Sequence, residues 1–122
     1  VSAWVVLPNH YHAVVCTPSV RAVLRALARL HGRTSHQWNG DDATRGRKVW
    51  CSAVDTRLDS ERYLRAAINY VHHNPVRHGY AETWHGWPFS SAVAYLKAVG
   101  REQAARDWRE YDISTMGMEW DL

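Results

Sequence analysis

A change of apolar pattern along the chain constrains the fold most. Residues 2–16, SAWVVLPNHYHAVVC, are rich in Val, Trp and Tyr and end at Thr17-Pro18, which is typical of β-strand. Pro8 and Asn9 mark a bulge or an interruption in that strand. Later segments carry their apolar residues at helical spacing instead. A β-rich segment followed by helical patterns indicates an α+β chain.

Three helices are predicted after the β-rich segment. The first covers residues 19–31, with Ser19 as its N-cap and Gly32 as its end. The second covers residues 60–74 and is expected to stop at Pro75, because proline disfavours α geometry in the residue before it. Its core-facing residues are Leu64, Ala67, Ile68 and Val71.

The third helix is predicted to start at Ser90 or Ser91 and to continue to Ala105. The connecting residues 33–47 are polar and contain glycine, so they are predicted as a loop. Residues 48–54 are predicted as a short strand, and residues 106–122 as an irregular C-terminal tail.

Length and charge limit the functions to consider. The chain has 122 residues, which fits one domain, and no apolar run reaches the ~18 residues of a membrane span. Its net charge is +3, but residues 1–80 carry +6 and residues 81–122 carry −3. The first two thirds is therefore the expected contact for a polyanion. Cys16 and Cys51 form no Cys-x-x-Cys pair, so free thiols in a reducing compartment are expected.

His10 and His12 are candidate metal ligands. Strict alternation over residues 2–16 assigns one face of the strand to Trp4, Val6, His10, His12 and Val14. Two imidazoles on one face can bind one divalent ion. Paired histidines also often only form hydrogen bonds, and a chance His-x-His is common in a chain with eight histidines. Both interpretations remain open at this point.

Tyr70 and Asn74 lie four residues apart on the second predicted helix and so share a face. By helical angle both fall at the edge of the core-facing stripe, half-buried yet reachable. A phenol with a pKa near 10 needs a cation or base nearby to act as a nucleophile. Alternatively, Tyr70 is a tyrosine at the rim of the core with a hydrogen-bonded hydroxyl. His72 and His73 are predicted to face away, toward solvent or the backbone.

Arg21, Arg25 and Arg29 recur every four residues on the first predicted helix and form one basic ridge, with Arg33 close by. Cations that follow phosphates, together with exposed aromatic rings, are typical of nucleic-acid binding. A solvated helix face has the same pattern, so the ridge alone does not decide between the two.

The segments LPNHYHAVV, INYVHHNPVRHGY and WPFSS together resemble the single-tyrosine HUH transposases, in particular the REP-associated tyrosine transposases of bacteria. The family pattern is a strand ending Pro-Asn/Glu-His-hydrophobic-His, then a helix with Tyr, Asn-Pro-Val and a Gly, then Trp-Pro-aromatic-Ser. The matching positions are Pro8, His10, Tyr11, His12, Tyr70, Asn74, Pro75, Val76, Gly79, Trp87, Pro88, Phe89 and Ser90. The resemblance covers residues 3–95.

The resemblance implies an enzyme that cleaves single-stranded DNA at hairpin-forming or palindromic repeats and transfers the strand. His10 and His12 would bind Mg²⁺ or Mn²⁺, with Asn74 as the third ligand. Tyr70 would attack phosphorus, leaving a 5′-phosphotyrosine and a free 3′-OH. The DNA would be held by Arg21, Arg25, Arg29, Arg33 and Arg77. A cytoplasmic, nucleoid-associated bacterial protein without membrane contact is expected.

The resemblance also implies an antiparallel sheet with helices on one face, similar to RNA-recognition and ferredoxin-like folds. Family members carry a strand and a helix before the His-x-His strand, and both are expected to be absent from this chain. Three explanations are open. The start of the chain has been lost or misassigned, the chain is a decayed copy, or another chain completes the sheet, as a second copy would in a homodimer. Tyr11 is an unusual residue between the two histidines and projects to the face opposite them.

Three hypotheses follow from the sequence. The first is a metal-dependent DNA transesterase, and the second is a truncated, catalytically inactive protein that binds single-stranded DNA. The third is a structural metal domain that uses His10, His12 and a cysteine.

Overall fold

The computed structural model describes residues 1–51, 53–114 and 116 of the chain. Contacts divide it into two compact units, one with residues 1–16 and those from 57 onward, the other with residues 17–56. The expectation of a single domain therefore stays a prediction. The elements are β1 (Ala3–Val6), β2 (Tyr11–Val14), α1 (Val20–Asp41), α2 (Glu61–Arg77), α3 (Ala92–Val99) and α4 (Arg101–Glu110). The predicted α+β class with an antiparallel sheet is confirmed.

The β-rich segment forms a hairpin rather than one strand. Pro8 and Asn9 lie in the turn, and β1 pairs antiparallel with β2 so that Val5 faces His12. Each pair thus joins an odd with an even residue number, and the face assignment made for one continuous strand is wrong. His12 and Val14 share a face with Ala3 and Val5, whereas Trp4 lies on the other face.

The segment after Trp87 completes the other edge of β1. Val6 N–H donates to the carbonyl of Phe89 at 2.8 Å, and Ser91 N–H donates to the carbonyl of Trp4 at 3.0 Å. The indole N–H of Trp87 donates to the carbonyl of Val6 at 2.8 Å. The Trp-Pro-Phe-Ser-Ser motif therefore fixes the chain beside β1 through backbone groups.

Helix α2 packs against both strands of the hairpin. Ser60 caps its first turn, as the Ser60 hydroxyl accepts from Tyr63 N–H at 3.1 Å. The predicted core stripe is confirmed, since Ala67 and Val71 are buried with the hairpin and Leu64 and Ile68 pack against them.

Pro75 lies inside α2 and does not end it. The helix ends at Arg77 in a Schellman motif: Tyr80 N–H donates to the carbonyl of Pro75 at 2.8 Å, and Gly79 N–H to the carbonyl of Val76 at 3.0 Å. Gly79 has φ +78°, which glycine adopts without strain. The prediction that α2 stops at Pro75 is wrong, because these capping bonds satisfy carbonyl groups of the last turn beyond the proline.

The third predicted helix is two helices. Gly100, with φ +82°, separates α3 from α4, and α4 continues to Glu110. Residues 106–110 of the expected irregular tail are therefore helical, while residues 115 and 117–122 of the tail lie outside the described residues. Asp107, on α4, is buried and accepts hydrogen bonds from the hydroxyl of Tyr95 and the amide of Gln103.

Helix α1 extends ten residues beyond the predicted end and reaches Asp41, so Gly32 does not stop it and much of the predicted loop is helical. The following segment folds back on the second half of α1. Trp50 stacks on His31 with ring centroids 4.3 Å apart, and Arg47 hydrogen-bonds the buried side chain of Asn39. The strand predicted over 48–54 is absent from the described residues there, because Trp50 packs on a helix rather than in a sheet.

Candidate active site

Side chains from the hairpin and α2 converge beside β2. The ring centroid of His12 lies 5.5 Å from that of Tyr70, and His10 lies 5.2 Å from His12, both edge to face. His10 lies in the turn and His12 on β2, whose inner face packs on α2. Two of the sequence motifs, separated by almost sixty residues, thus meet in one cluster.

Tyr70 is only 1 % exposed, so it is not half-buried as predicted. The guanidinium carbon of Arg77 lies over its ring, 5.3 Å from the centroid, which is the geometry of a cation–π contact. His12 contacts the same ring edge to face. Arg77 is one of the five predicted DNA-binding arginines.

Asn74 is fully buried one helical turn after Tyr70. Neither its amide nitrogen nor its amide oxygen has a hydrogen-bond partner among the described residues. A buried amide without a partner typically costs about 1–3 kcal/mol in mutational series, so such a group calls for a physical explanation. A bound group that the amide oxygen coordinates would give one of these two polar atoms a partner.

His78 belongs to the same cluster, and the sequence did not single it out. Its ring centroid lies 5.0 Å from that of His10. Burial lowers the pKa of His78, and the nearby charges of His10, Arg77 and His12 lower it further. The position of His78 was a usable signal, because it caps the helix that carries the candidates Tyr70 and Asn74. The direction of the His78 side chain, however, depends on where α2 ends.

His72 and His73 are not solvent-facing, which corrects the prediction. His72 is buried and lies 2.8 Å, Nε2 to Oγ, from Ser91. His73 is stacked between Trp108 and Trp84, with ring centroids 3.7 and 5.2 Å away. Burial lowers the pKa of each imidazole to about 4, so both are neutral at pH 7. The face of α2 opposite the hairpin is covered as well, which the helical pattern did not indicate.

The basic ridge lies on α1, in the unit formed by residues 17–56. Arg21, Arg25, Arg29 and Arg33 are all exposed there. Their spacing in a continuous helix places them in one column, as predicted. Their role in DNA binding stays a prediction.

The cluster offers nitrogen and oxygen donors to a metal but no carboxylate. Among the residues that the structure describes, no group of three or more His, Cys, Asp or Glu is placed to hold an ion. Cys16 and Cys51 are exposed, free thiols. The hypothesis of a structural site with a cysteine ligand therefore has no support, whereas two imidazoles and the unsatisfied amide of Asn74 fit a divalent cation with open positions.

This chain is similar to a REP-associated tyrosine transposase of Escherichia coli (strain K12). The two are 28 % identical over 109 residues, which cover 88 % of this chain and 61 % of the relative. The chain thus spans less than two thirds of the relative's length.

No family model matches the sequence, and no solved structure matches the fold. Within the described part of the chain, none of the helices combines the length and apolar character that crossing a membrane requires.

Proposed function

We propose that this protein cleaves and rejoins single-stranded DNA at hairpin-forming repeats, with Tyr70 as the nucleophile and a divalent metal as cofactor. The observation that carries the proposal is the contact between Tyr70 and His12, with the unsatisfied amide of Asn74 one turn along the same helix. Similarity to a REP-associated tyrosine transposase supports the DNA-directed part of it.

His10, His12 and the amide oxygen of Asn74 would hold the metal. Mg²⁺ or Mn²⁺, when bound, would polarise the scissile phosphate and offset the charge of the transition state. The remaining chemistry belongs to the chain. Burial of Asn74 without a protein partner keeps its oxygen available at a fixed position, and the antiparallel pairing of β2 with β1 fixes His12.

Tyr70 performs the transfer. Its phenolic oxygen forms a bond to phosphorus while the bond from phosphorus to the 3′ oxygen breaks, giving a 5′-phosphotyrosine. The phenol loses one proton and the departing 3′ oxygen gains one, so the step is balanced. Because a phosphodiester replaces a phosphodiester, a 3′-OH from a second strand reverses the step and joins the strands without another energy source.

Arg77 links DNA binding to exposure of the nucleophile. In the structure its guanidinium covers Tyr70, which is buried. A planar guanidinium forms strong bidentate hydrogen bonds with phosphate, about twice as strong as neutral ones. A phosphate that binds Arg77 therefore competes with the contact to the ring and uncovers the phenol only when DNA is present.

Formation of a covalent protein–DNA adduct tests the proposal. Hairpin oligonucleotides with randomised single-stranded flanks are incubated with the protein and Mn²⁺, and adducts are separated on denaturing gels. Adducts are expected with the parent protein and not with Tyr70→Phe or in EDTA. Tyr63→Phe is the matched control, since Tyr63 lies on the same helix and is 37 % exposed. An adduct that survives Tyr70→Phe and is lost in Tyr63→Phe or Tyr11→Phe would identify a different nucleophile.

A second candidate function is binding of single-stranded DNA without cleavage. The burial of Tyr70 favours it, because a phenol that stays covered by Arg77 cannot reach phosphorus. DNA binding that weakens with salt, combined with no adduct in Mn²⁺ or Mg²⁺, would select this candidate over the enzyme.

A further inference from the structure

A row of aromatic rings leads away from the candidate active site. We name it the aromatic row and define it by His78, Tyr80, Trp87 and Phe89. Successive ring centroids are 6.4, 5.8 and 5.7 Å apart, and His78 is 5.0 Å from His10. The row is therefore continuous from the histidine cluster to the surface.

Hydrogen bonds fix the main chain at two positions of this row and the ring itself at a third. Tyr80 is fixed by its N–H in the Schellman motif at the end of α2, and Trp87 by its indole bond to Val6. Phe89 is fixed because its carbonyl accepts from Val6 N–H at 2.8 Å. A main chain that is fixed before a ligand arrives loses little conformational freedom when the ligand binds.

The outer part of the row is exposed. Tyr80 is 41 % exposed and Phe89 is 59 % exposed, and Val6, bonded to Phe89 through the backbone, is 49 % exposed. Contiguous exposed apolar surface is typical of a binding site. Arg77, next to His78 in the chain, lies at its inner end, so the surface joins a cationic guanidinium to stacking rings.

We propose that the aromatic row binds the unpaired bases of a single-stranded DNA segment that leads into the active site. This rests on the proposed function. Aromatic side chains beside a cationic backbone contact are the usual platform for single strands, because every base offers a π face. The ring spacing of 5.7–6.4 Å exceeds the ~3.4 Å between stacked bases of a duplex strand, so the row suits separated bases of a stretched strand.

Binding of two matched oligonucleotides tests this. The probes are a fluorescent oligothymidylate of about 12 nucleotides, within the usual size of such sites, and the same sugar–phosphate chain without bases. Anisotropy is measured in EDTA, so that neither metal nor cleavage contributes. Tyr80→Leu and Phe89→Leu should each weaken oligothymidylate binding about 5- to 100-fold and leave the abasic probe unaffected.

Tyr63→Leu is the control, because Tyr63 has a similar exposure of 37 % and lies outside the row. Circular dichroism verifies the fold of each variant. Phe89→Leu is the milder change for the fold, because the ring is 59 % exposed and the backbone bond to Val6 is kept. The proposal is overturned if the parent binds both probes with equal affinity, a result that would indicate another kind of partner. It is also overturned if the variants bind oligothymidylate as tightly as the parent does.

The result is separable from the adduct test. Stacking in EDTA without any adduct in Mn²⁺ would retain the aromatic row and reject the transesterase. If Tyr80→Leu and Phe89→Leu form adducts as well as the parent and bind oligothymidylate with unchanged affinity, the transesterase is retained and the aromatic row is rejected.

Discussion

Replacing Asn74 by Leu should stabilise the metal-free protein. Asn74 is fully buried, and neither of its side-chain polar atoms has a partner in the described part of the chain. An unpaired buried polar group costs about 1–3 kcal/mol, and leucine has the same branched skeleton without polar atoms. Its methyl groups need more room, and overpacking offsets part of the gain. The expected net increase in the free energy of unfolding is about 1–2 kcal/mol.

Asn69 is the matched control. It lies on the same helix and is also buried, but its amide nitrogen donates to the carbonyls of Asp107 and Tyr111 at 3.0 and 3.1 Å. Asn69→Leu leaves both carbonyls without this donor and should destabilise the protein by about 1–3 kcal/mol. The same substitution at two buried asparagines of α2 should therefore have opposite signs.

Urea unfolding in EDTA, followed by titration with Mn²⁺, measures both effects. The parent protein should gain about 2.7 kcal/mol when free Mn²⁺ reaches a hundred times its Kd, by mass action. Asn74→Leu should gain less because it lacks one ligand, whereas Asn69→Leu should gain as much as the parent. If Asn74→Leu is destabilised in EDTA, the amide has a structural role; if Mn²⁺ stabilises it fully, Asn74 is not a ligand.

Two further predictions concern pH and salt. Burial lowers the pKa of His72 from 6.5 to about 4, so as the pH falls the unfolded chain takes up a proton on this imidazole before the folded protein does. The contribution of the neutral His72 to stability is therefore fully present above pH 6.5 and is lost progressively toward pH 4. The free energy of unfolding should be about 2 kcal/mol lower at pH 5. Urea unfolding at pH 7.5 and 5 should show this loss reduced in His72→Gln, and an equal loss in both proteins would contradict it. Changing Arg21, Arg25 and Arg29 to Gln should reduce the slope of log affinity for single-stranded DNA against log salt by about 2. An unchanged slope would exclude the ridge from the interface.

The sequence singled out His10, His12 and Tyr70, whose rings the structure places in one cluster, but it misplaced the limits of several elements. The i, i+2 pair His10 and His12 and the i, i+4 pair Tyr70 and Asn74 are local relations, and local periodicity fixes them. Which surfaces face each other depends on the turn at Pro8 and Asn9. That turn reversed the face assignment between the two strands, because pairing in the hairpin joins odd with even positions.

The errors at helix ends have a common physical cause. Gly32 and Pro75 are intrinsic helix breakers, yet both lie inside helices. Trp50 contacts Trp38 and donates to Thr34, both on the part of α1 that follows Gly32. The Schellman motif satisfies the end of α2 two residues after Pro75. Tertiary contacts and capping bonds thus outweigh local preferences of about 1 kcal/mol for glycine, and no sequence window shows them.

The Trp-Pro-Phe-Ser-Ser motif places no side chain among the rings of His10, His12 and Tyr70, but its geometry gives it a positioning role. The hydroxyl of Ser91 accepts from Trp4 N–H at 2.9 Å and lies 2.8 Å from Nε2 of His72. It therefore ties β1 to the face of α2 opposite Tyr70. Since β1 pairs with β2, this bridge links the hairpin that carries His12 to the helix that carries Tyr70. Three short motifs spread over the chain are thus parts of one arrangement, in which two supply the rings of the candidate site and the third links the strand and the helix that carry them.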